Sequence, residues 1–165
     1  DMQSRPAQEI WNYQQIDLGF NYRMTDIQAA LGLSQMQRLD EFVTKRHAIA
    51  KRYDQPFSAL PVLTPWQHSD SYSSYHLYVI RLKLDEINKT HRQVYEEIYV
   101  AGILVNLHYI PVYRQPYYEQ MGFSRGYCPQ AEKYYSEVIS IPMYPSLTEA
   151  QQDQVIAVIC KVVGA

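Results

Sequence analysis

Three times along this chain a threonine stands three residues ahead of a glutamine, at the start of an apolar-periodic run: Thr25 with Gln28, Thr90 with Gln93, and Thr148 with Gln151. In such a pair the threonine hydroxyl accepts from the glutamine amide, and the glutamine side chain returns to the threonine N–H, so each pair fixes a helix start. Between these starts lie short stretches in which apolar residues alternate with others, the period of a strand. Helices interleaved with single strands build a small sheet with helices packed on it.

The first helix pattern is the longest. From Asp26 onward Ala29, Leu33, Met36, Leu39, Val43, Ala50, Tyr53 and Phe57 follow spacings of three, four or seven, one stripe of a helix over 26–57 that Pro56 brings to an end. That length is at the upper end for a globular protein and leaves room for a break near Arg38 to Glu41. Gly32 lies inside the pattern at a cost of about 1 kcal/mol relative to alanine, and is either a point of close approach or a tolerated defect. Pro61, Pro65 and the serines of 69–74 read as a loop leading to a strand in which His76, Tyr78, Ile80, Leu82 and Leu84 share a face. The helix begun by Thr90 carries Val94, Ile98 and Ala101 and ends at Gly102. Ile103, Val105, Leu107 and Tyr109 alternate as a second strand, Pro129 opens a helix, and 138–143 is a third strand before the helix begun by Thr148. The expectation is an α+β fold: a long N-terminal helix, then a sheet of about three strands packed with helices. Residues 1–18 read as an irregular leader and 19–165 as the domain.

The 165 residues, 47% of them hydrophobic, suffice for one core. A net charge of −2 without a basic stripe argues against a nucleic-acid partner. The apolar runs are too short to cross a bilayer, and the polar start lacks signal-peptide features, so no membrane and a cytoplasmic location are expected. Cys128 and Cys160 lack metal spacing, and His47, His68 and His91 have no partner at ligand spacing, so no metal site is expected.

Residues 19–32, Gly-Phe-Asn-Tyr-Arg-Met-Thr-Asp-Ile-Gln-Ala-Ala-Leu-Gly, run a polar turn directly into the first capped helix. A helix N-terminus presents unpaired N–H groups and the positive end of a dipole. Asn21 and Arg23 stand just ahead of it, and a guanidinium adds a fork suited to phosphate or carboxylate. An arginine at such a place also serves as a solvated or structural side chain. His108 and Tyr109, where a strand opens into the loop of Pro111, occupy a usual place for binding residues. An isolated histidine is equally a structural hydrogen-bonding residue. Most of the sixteen tyrosines, Tyr95, Tyr99, Tyr134 and Tyr135 among them, read as packing faces.

The 19–32 stretch resembles the signature of the pyridoxal-phosphate sugar aminotransferases named after DegT, DnrJ, EryC1 and StrS. The resemblance continues through Gln35-Met36-Gln37-Arg38-Leu39-Asp40, Lys45-Arg46, His76-Leu77-Tyr78-Val79-Ile80, His108-Tyr109-Ile110-Pro111-Val112, Pro116-Tyr117-Tyr118 and 140–148. It is strongest to the branch that aminates a UDP-linked 4-keto-6-deoxy sugar on the way to pseudaminic acid. What it implies is the C-terminal small domain of a fold type I enzyme that moves an amino group from an amino acid, usually glutamate, to the keto carbon of a nucleotide sugar. Asn21 would contact the cofactor phosphate across a homodimer interface, with Tyr22 and Arg23 supporting that edge or the substrate. His76, His108 and Tyr109 would line the sugar-nucleotide side.

The resemblance carries departures as well. Nothing here matches the segment holding the Schiff-base lysine. Lys45, Lys51, Lys83, Lys89, Lys133 and Lys161 all read as helical or surface residues. The catalytic amine is therefore expected in a larger N-terminal domain, with Asp1 in the connection between the parts and this chain inactive alone. Truncation, proteolysis and a deliberately expressed domain all fit. Family members often carry His where Tyr113 stands and Arg where Tyr75 stands, which would shift a diphosphate contact to Arg114 or Arg81. A relative with histidine in place of the lysine performs dehydration instead, and a non-catalytic interaction module is a third reading.

Overall fold

The computed structural model describes residues 17–164, and the expected leader lies mostly outside them. The chain forms two compact units, Asp1–Arg38 and Leu39–Ala165.

In the first unit α1 (Asp26–Met36) starts at Thr25 with both bonds of the capping box: Gln28 N–H to Thr25 Oγ1 at 3.3 Å, and Thr25 N–H to Gln28 Oε1 at 3.0 Å. No residue of α1 is buried, and a Cβ placed on Gly32 meets nothing within 4 Å, so among the described residues there is no close neighbour at Gly32. The single helix expected over 26–57 is two. The chain leaves α1 at Gln37, and α2 (Leu39–Phe57) begins with Asp40 and Glu41, acidic residues suited to the positive end of a new helix. Pro56 is the penultimate residue of α2.

The second unit is an antiparallel sheet in the order β1 (Val62–Leu63), β2 (Tyr78–Leu82), β3 (Val138–Ile141), with α2, α3 (His91–Val100) and α6 (Glu149–Val163) supplying the helical layer. A 3-10 turn (Val112–Arg114), α4 (Pro116–Glu119) and α5 (Pro129–Glu137) precede β3. Tyr78, Ile80 and Leu82 of β2 are buried and register with Ile141, Ile139 and Val62. They pack with Tyr53 and Phe57 of α2, Val94 and Ile98 of α3, and Val155 and Ile159 of α6 into one core. Period two on the strand and period 3.6 on the helices therefore deliver their apolar faces to the same layer. Gly102, at φ 86, closes α3 while Ile103 N–H reaches back to Ile98 O at 3.2 Å. That left-handed cap is one only glycine adopts freely.

Two strand expectations are corrected. The segment 103–109 keeps its alternation only in its first half, with Ile103 and Val105 buried, Leu107 half-buried and Tyr109 exposed, and it joins the sheet only through an Asn106–Ser140 bridge. The outer edge of β3 is occupied otherwise: the Val138 carbonyl accepts from His91 Nε2 at 2.9 Å, and Pro142, which has no N–H, ends the strand. Alternation reports burial, and here the ladder partner is a side chain. Conversely β1 lies in what read as loop, since a two-residue strand between prolines offers too little pattern to detect.

Candidate functional site

The turn ahead of α1 is open. Asn21, Tyr22 and Arg23 are all exposed, and Phe20 and Tyr22 stack at 5.2 Å with an interplanar angle of 16°. Because Thr25 takes the Gln28 amide, the first-turn amides of Asp26 and Ile27 remain facing outward at the positive end of α1. A carboxamide, a guanidinium and helix-start amides form a donor set that fits a phosphoryl group. Asp26 in the same turn opposes an anion.

In the second unit, His76 is exposed just before β2, and its carbonyl accepts from Arg46 Nη1 at 2.9 Å. Tyr109 is exposed and His108 half-buried, their rings 4.9 Å apart across a cis peptide bond. His108 also stands edge-on to Tyr134 at 6.3 Å, and its Nδ1 is buried without a hydrogen-bond partner. Ser140 Oγ in β3 is likewise buried without a partner, so an orphaned atom of this kind is not by itself the mark of a ligand site.

Beside these residues lies a cavity of about 930 Å³, walled by Trp66, Tyr75, Leu77, Val79, Arg81 and Tyr134 among others. None of His76, His108 and Tyr109 is part of its wall, although Tyr75 and Leu77 flank His76 and Tyr134 touches His108. The cavity wall is thus built from residues other than those the sequence singled out. Tyr134 was read as packing, and only its spacing on an amphipathic helix was available to place it. The two cations offered as replacements at Tyr75 are both engaged, Arg81 in an ion pair with Glu137 and Arg114 over the Tyr135 ring at 5.7 Å.

Tyr113 is engaged as well. Its hydroxyl lies 2.7 Å from Glu132 Oε1, which also accepts from Gly126 N–H at 2.7 Å, closing the loop between the 3-10 turn and α5. The hydrogen bond from Gly126 N–H, with that from the Tyr113 hydroxyl, holds the Glu132 carboxyl below its ordinary range. Desolvation and that carboxylate push the Tyr113 phenol up. No lysine lines the large cavity; Lys45 pairs with Glu41 at 2.6 Å and Lys89 with Glu97 at 2.9 Å. Among the described residues no group of three or more His, Cys, Asp or Glu is placed to hold a metal, and no helix is long and apolar enough to cross a membrane.

A profile of the DegT/DnrJ/EryC1/StrS aminotransferase family matches residues 2–160. The spore coat polysaccharide biosynthesis protein SpsC of Bacillus subtilis is 35% identical over 158 residues, covering 93% of this chain and 40% of that protein. The UDP-4-amino-4,6-dideoxy-N-acetyl-beta-L-altrosamine transaminase of Campylobacter jejuni is 32% identical over 139 residues, 84% of this chain and 36% of that protein. Among solved structures, Helicobacter pylori PseC, an aminotransferase involved in pseudaminic acid biosynthesis, superposes with a TM-score of 0.83 at 26% identity, covering 95% of this chain and 42% of that one. The PMP form of the Streptococcus pneumoniae sugar aminotransferase Spr1654 gives 0.81 at 29% identity, covering 92% and 38%. The chain thus spans about 40% of the length of the relatives it matches. With the signature turn exposed ahead of α1 and the α+β fold shared almost end to end, this chain belongs to the DegT/DnrJ/EryC1/StrS aminotransferase family.

Proposed function

We propose that the chain is the C-terminal portion, with 1–18 as its connecting segment and 19–165 as its domain, of a pyridoxal-phosphate aminotransferase. Its substrates would be an amino acid, with glutamate the expected donor, and a UDP-linked 4-keto-6-deoxy sugar destined for a surface glycan of the pseudaminic acid type. The likeness to PseC over 95% of this chain carries the reading. The C. jejuni transaminase, whose name states a 4-amino-4,6-dideoxy UDP-sugar, supports the substrate class.

Pyridoxal phosphate would supply an electron sink for charge developing at the substrate carbon. This chain's part would be to hold and orient. Asn21 and Arg23, with the Asp26 and Ile27 amides, would bind the cofactor phosphate, and Tyr22 would cover that edge, in a homodimer with the site shared between subunits. Donors fixed beforehand need no reorganisation when charge develops. His76, His108 and Tyr109 would face the nucleotide sugar, with His108 Nδ1 finding there the partner it lacks. The Schiff-base lysine would come from a segment outside this chain, leaving the chain inactive alone in a cytoplasmic enzyme.

The test is the complete enzyme mixed with glutamate and no sugar. Loss of the cofactor's aldehyde absorbance, followed by its return on adding the 4-keto sugar nucleotide, is the expected result. A cofactor that does not respond to any amino donor while the sugar is dehydrated would assign the dehydratase chemistry instead.

A further inference from the structure

The approach to β2 is held by side chains of one helix. Arg46 on α2 directs Nη1 at three backbone carbonyls: Tyr75 at 2.9 Å, His76 at 2.9 Å and Met143 at 3.0 Å. The first two lead into β2 and the third follows β3, so a single guanidinium ties together two stretches that no ladder bond connects. The next residue works on the same arm. His47 Nε2 lies 2.8 Å from the Ser73 carbonyl, and its ring is face-on to Tyr72 at 4.5 Å and edge-on to Tyr75 at 4.9 Å. Ser73 Oγ accepts the Tyr75 N–H at 3.0 Å.

Within this frame Tyr75 has φ 47, and among the described residues it is the one non-glycine with positive φ. A left-handed tyrosine brings its own Cβ against the backbone. Such strain persists only where surrounding contacts over-determine it, and it collects at ligand sites. The observations agree. The strained residue lines the cavity, while the residue after it, His76, is exposed to solvent. Were the arm merely a connector, a relaxed backbone would serve equally well.

We propose that Arg46 is a positioning residue, fixing the arm of residues 72–76 so that Tyr75 and His76 stand ready for the sugar-nucleotide half of the substrate. This rests on the function proposed above. Arg46 touches neither substrate nor cofactor in this account and acts only through the carbonyls it holds. Lysine is a poor replacement, because its Nζ ends one bond short of the Nη1 position from which all three carbonyls are reached.

The test uses Arg46→Ala and Arg46→Lys in the complete enzyme, with amide exchange of residues 72–77 followed in this chain. Arg46→Ala is expected to raise KM for the nucleotide sugar roughly tenfold while leaving the half-reaction with amino acid alone within about twofold. Added guanidinium ion should restore much of the KM, and exchange should quicken in 72–77 without spreading through β2 and β3. Arg46→Lys should recover little, and carries the test if the alanine variant does not fold. Equal loss in both half-reactions, exchange rising across the whole sheet, or an unchanged KM would overturn the proposal. If the parent enzyme shows no amino-donor half-reaction, the proposed function falls, and the arm's exchange together with affinity for the UDP-sugar still decides on Arg46.

Discussion

Tyr78→Phe isolates one polar contact inside the core, and its effect changes sign with pH. The Tyr78 ring is fully buried at the head of β2, and its hydroxyl donates to Asp54 Oδ1 at 2.5 Å. A hydrogen bond to a charged acceptor contributes about 1.5–3 kcal/mol, and because the half-exposed Asp54 can rehydrate, the low end applies, about 1.5 kcal/mol at pH 7. Burial first, then the hydrogen bond to the Asp54 carboxylate, hold the Tyr78 phenol far above the ordinary range of a tyrosine. A folded-state pKa raised above the unfolded one gives stability that is complete below the unfolded value and declines above it. The wild-type chain therefore loses about 1.4 kcal/mol per pH unit through Tyr78 once pH exceeds about 10. Tyr78→Phe has no proton to hold and escapes that loss. Tyr53, also raised by burial, keeps its own slope in both proteins. Urea unfolding followed by circular dichroism at pH 7 to 11.5 should show the variant less stable at neutrality, with the two curves converging about one unit above pH 10. Parallel curves across that range, or no cost at pH 7, would show that the Asp54 contact does not govern this part of the core.

Asn21→Ala and Arg23→Ala should each weaken cofactor retention by the complete enzyme, roughly tenfold for loss of a charge-assisted contact. Since both side chains are exposed, thermal melting of this chain should not move, and cofactor absorbance after gel filtration reads the difference. Glu132→Gln should loosen the loop from Tyr113 to Gly126, read as faster tryptic cleavage at Arg114 and Arg125. In the wild type the loop should stay ordered above the carboxyl's ordinary range and open as pH falls through its depressed value, while the glutamine variant loses this dependence. Thr148→Ala removes the hydroxyl that accepts Gln151 N–H at 3.2 Å, and should lower stability by about 1 kcal/mol, measured by denaturant midpoint.

Local chemistry was legible wherever a residue's role depends on near neighbours. All three threonine–glutamine pairs form complete capping boxes, and Gly102 closes α3 as its position suggested. The break between α1 and α2 was foreshadowed only by the unusual length of the pattern, since an apolar stripe runs on whether or not the backbone does. The exposure of Asn21 and Arg23 follows from a polar turn ahead of a capped helix. Tyr75 was visible only as a departure from the family pattern, since nothing in Ser-Tyr-His encodes a left-handed backbone.

Taken alone, the order of residues determined the helix starts, the apolar periods, the α+β class and the family, because each is set by contacts within a few positions or by motif order. Tertiary structure decided the rest. Which segment completes the sheet turned on His91 reaching β3 across 47 residues, and the cavity wall on Tyr134 and Tyr75 lining one cavity from distant parts of the chain. The arm before β2 depends on Arg46 reaching carbonyls 29, 30 and 97 positions away. A side chain's long-range acceptor is chosen by how packed elements bring backbone groups together, and spacing along the chain carries no record of that choice.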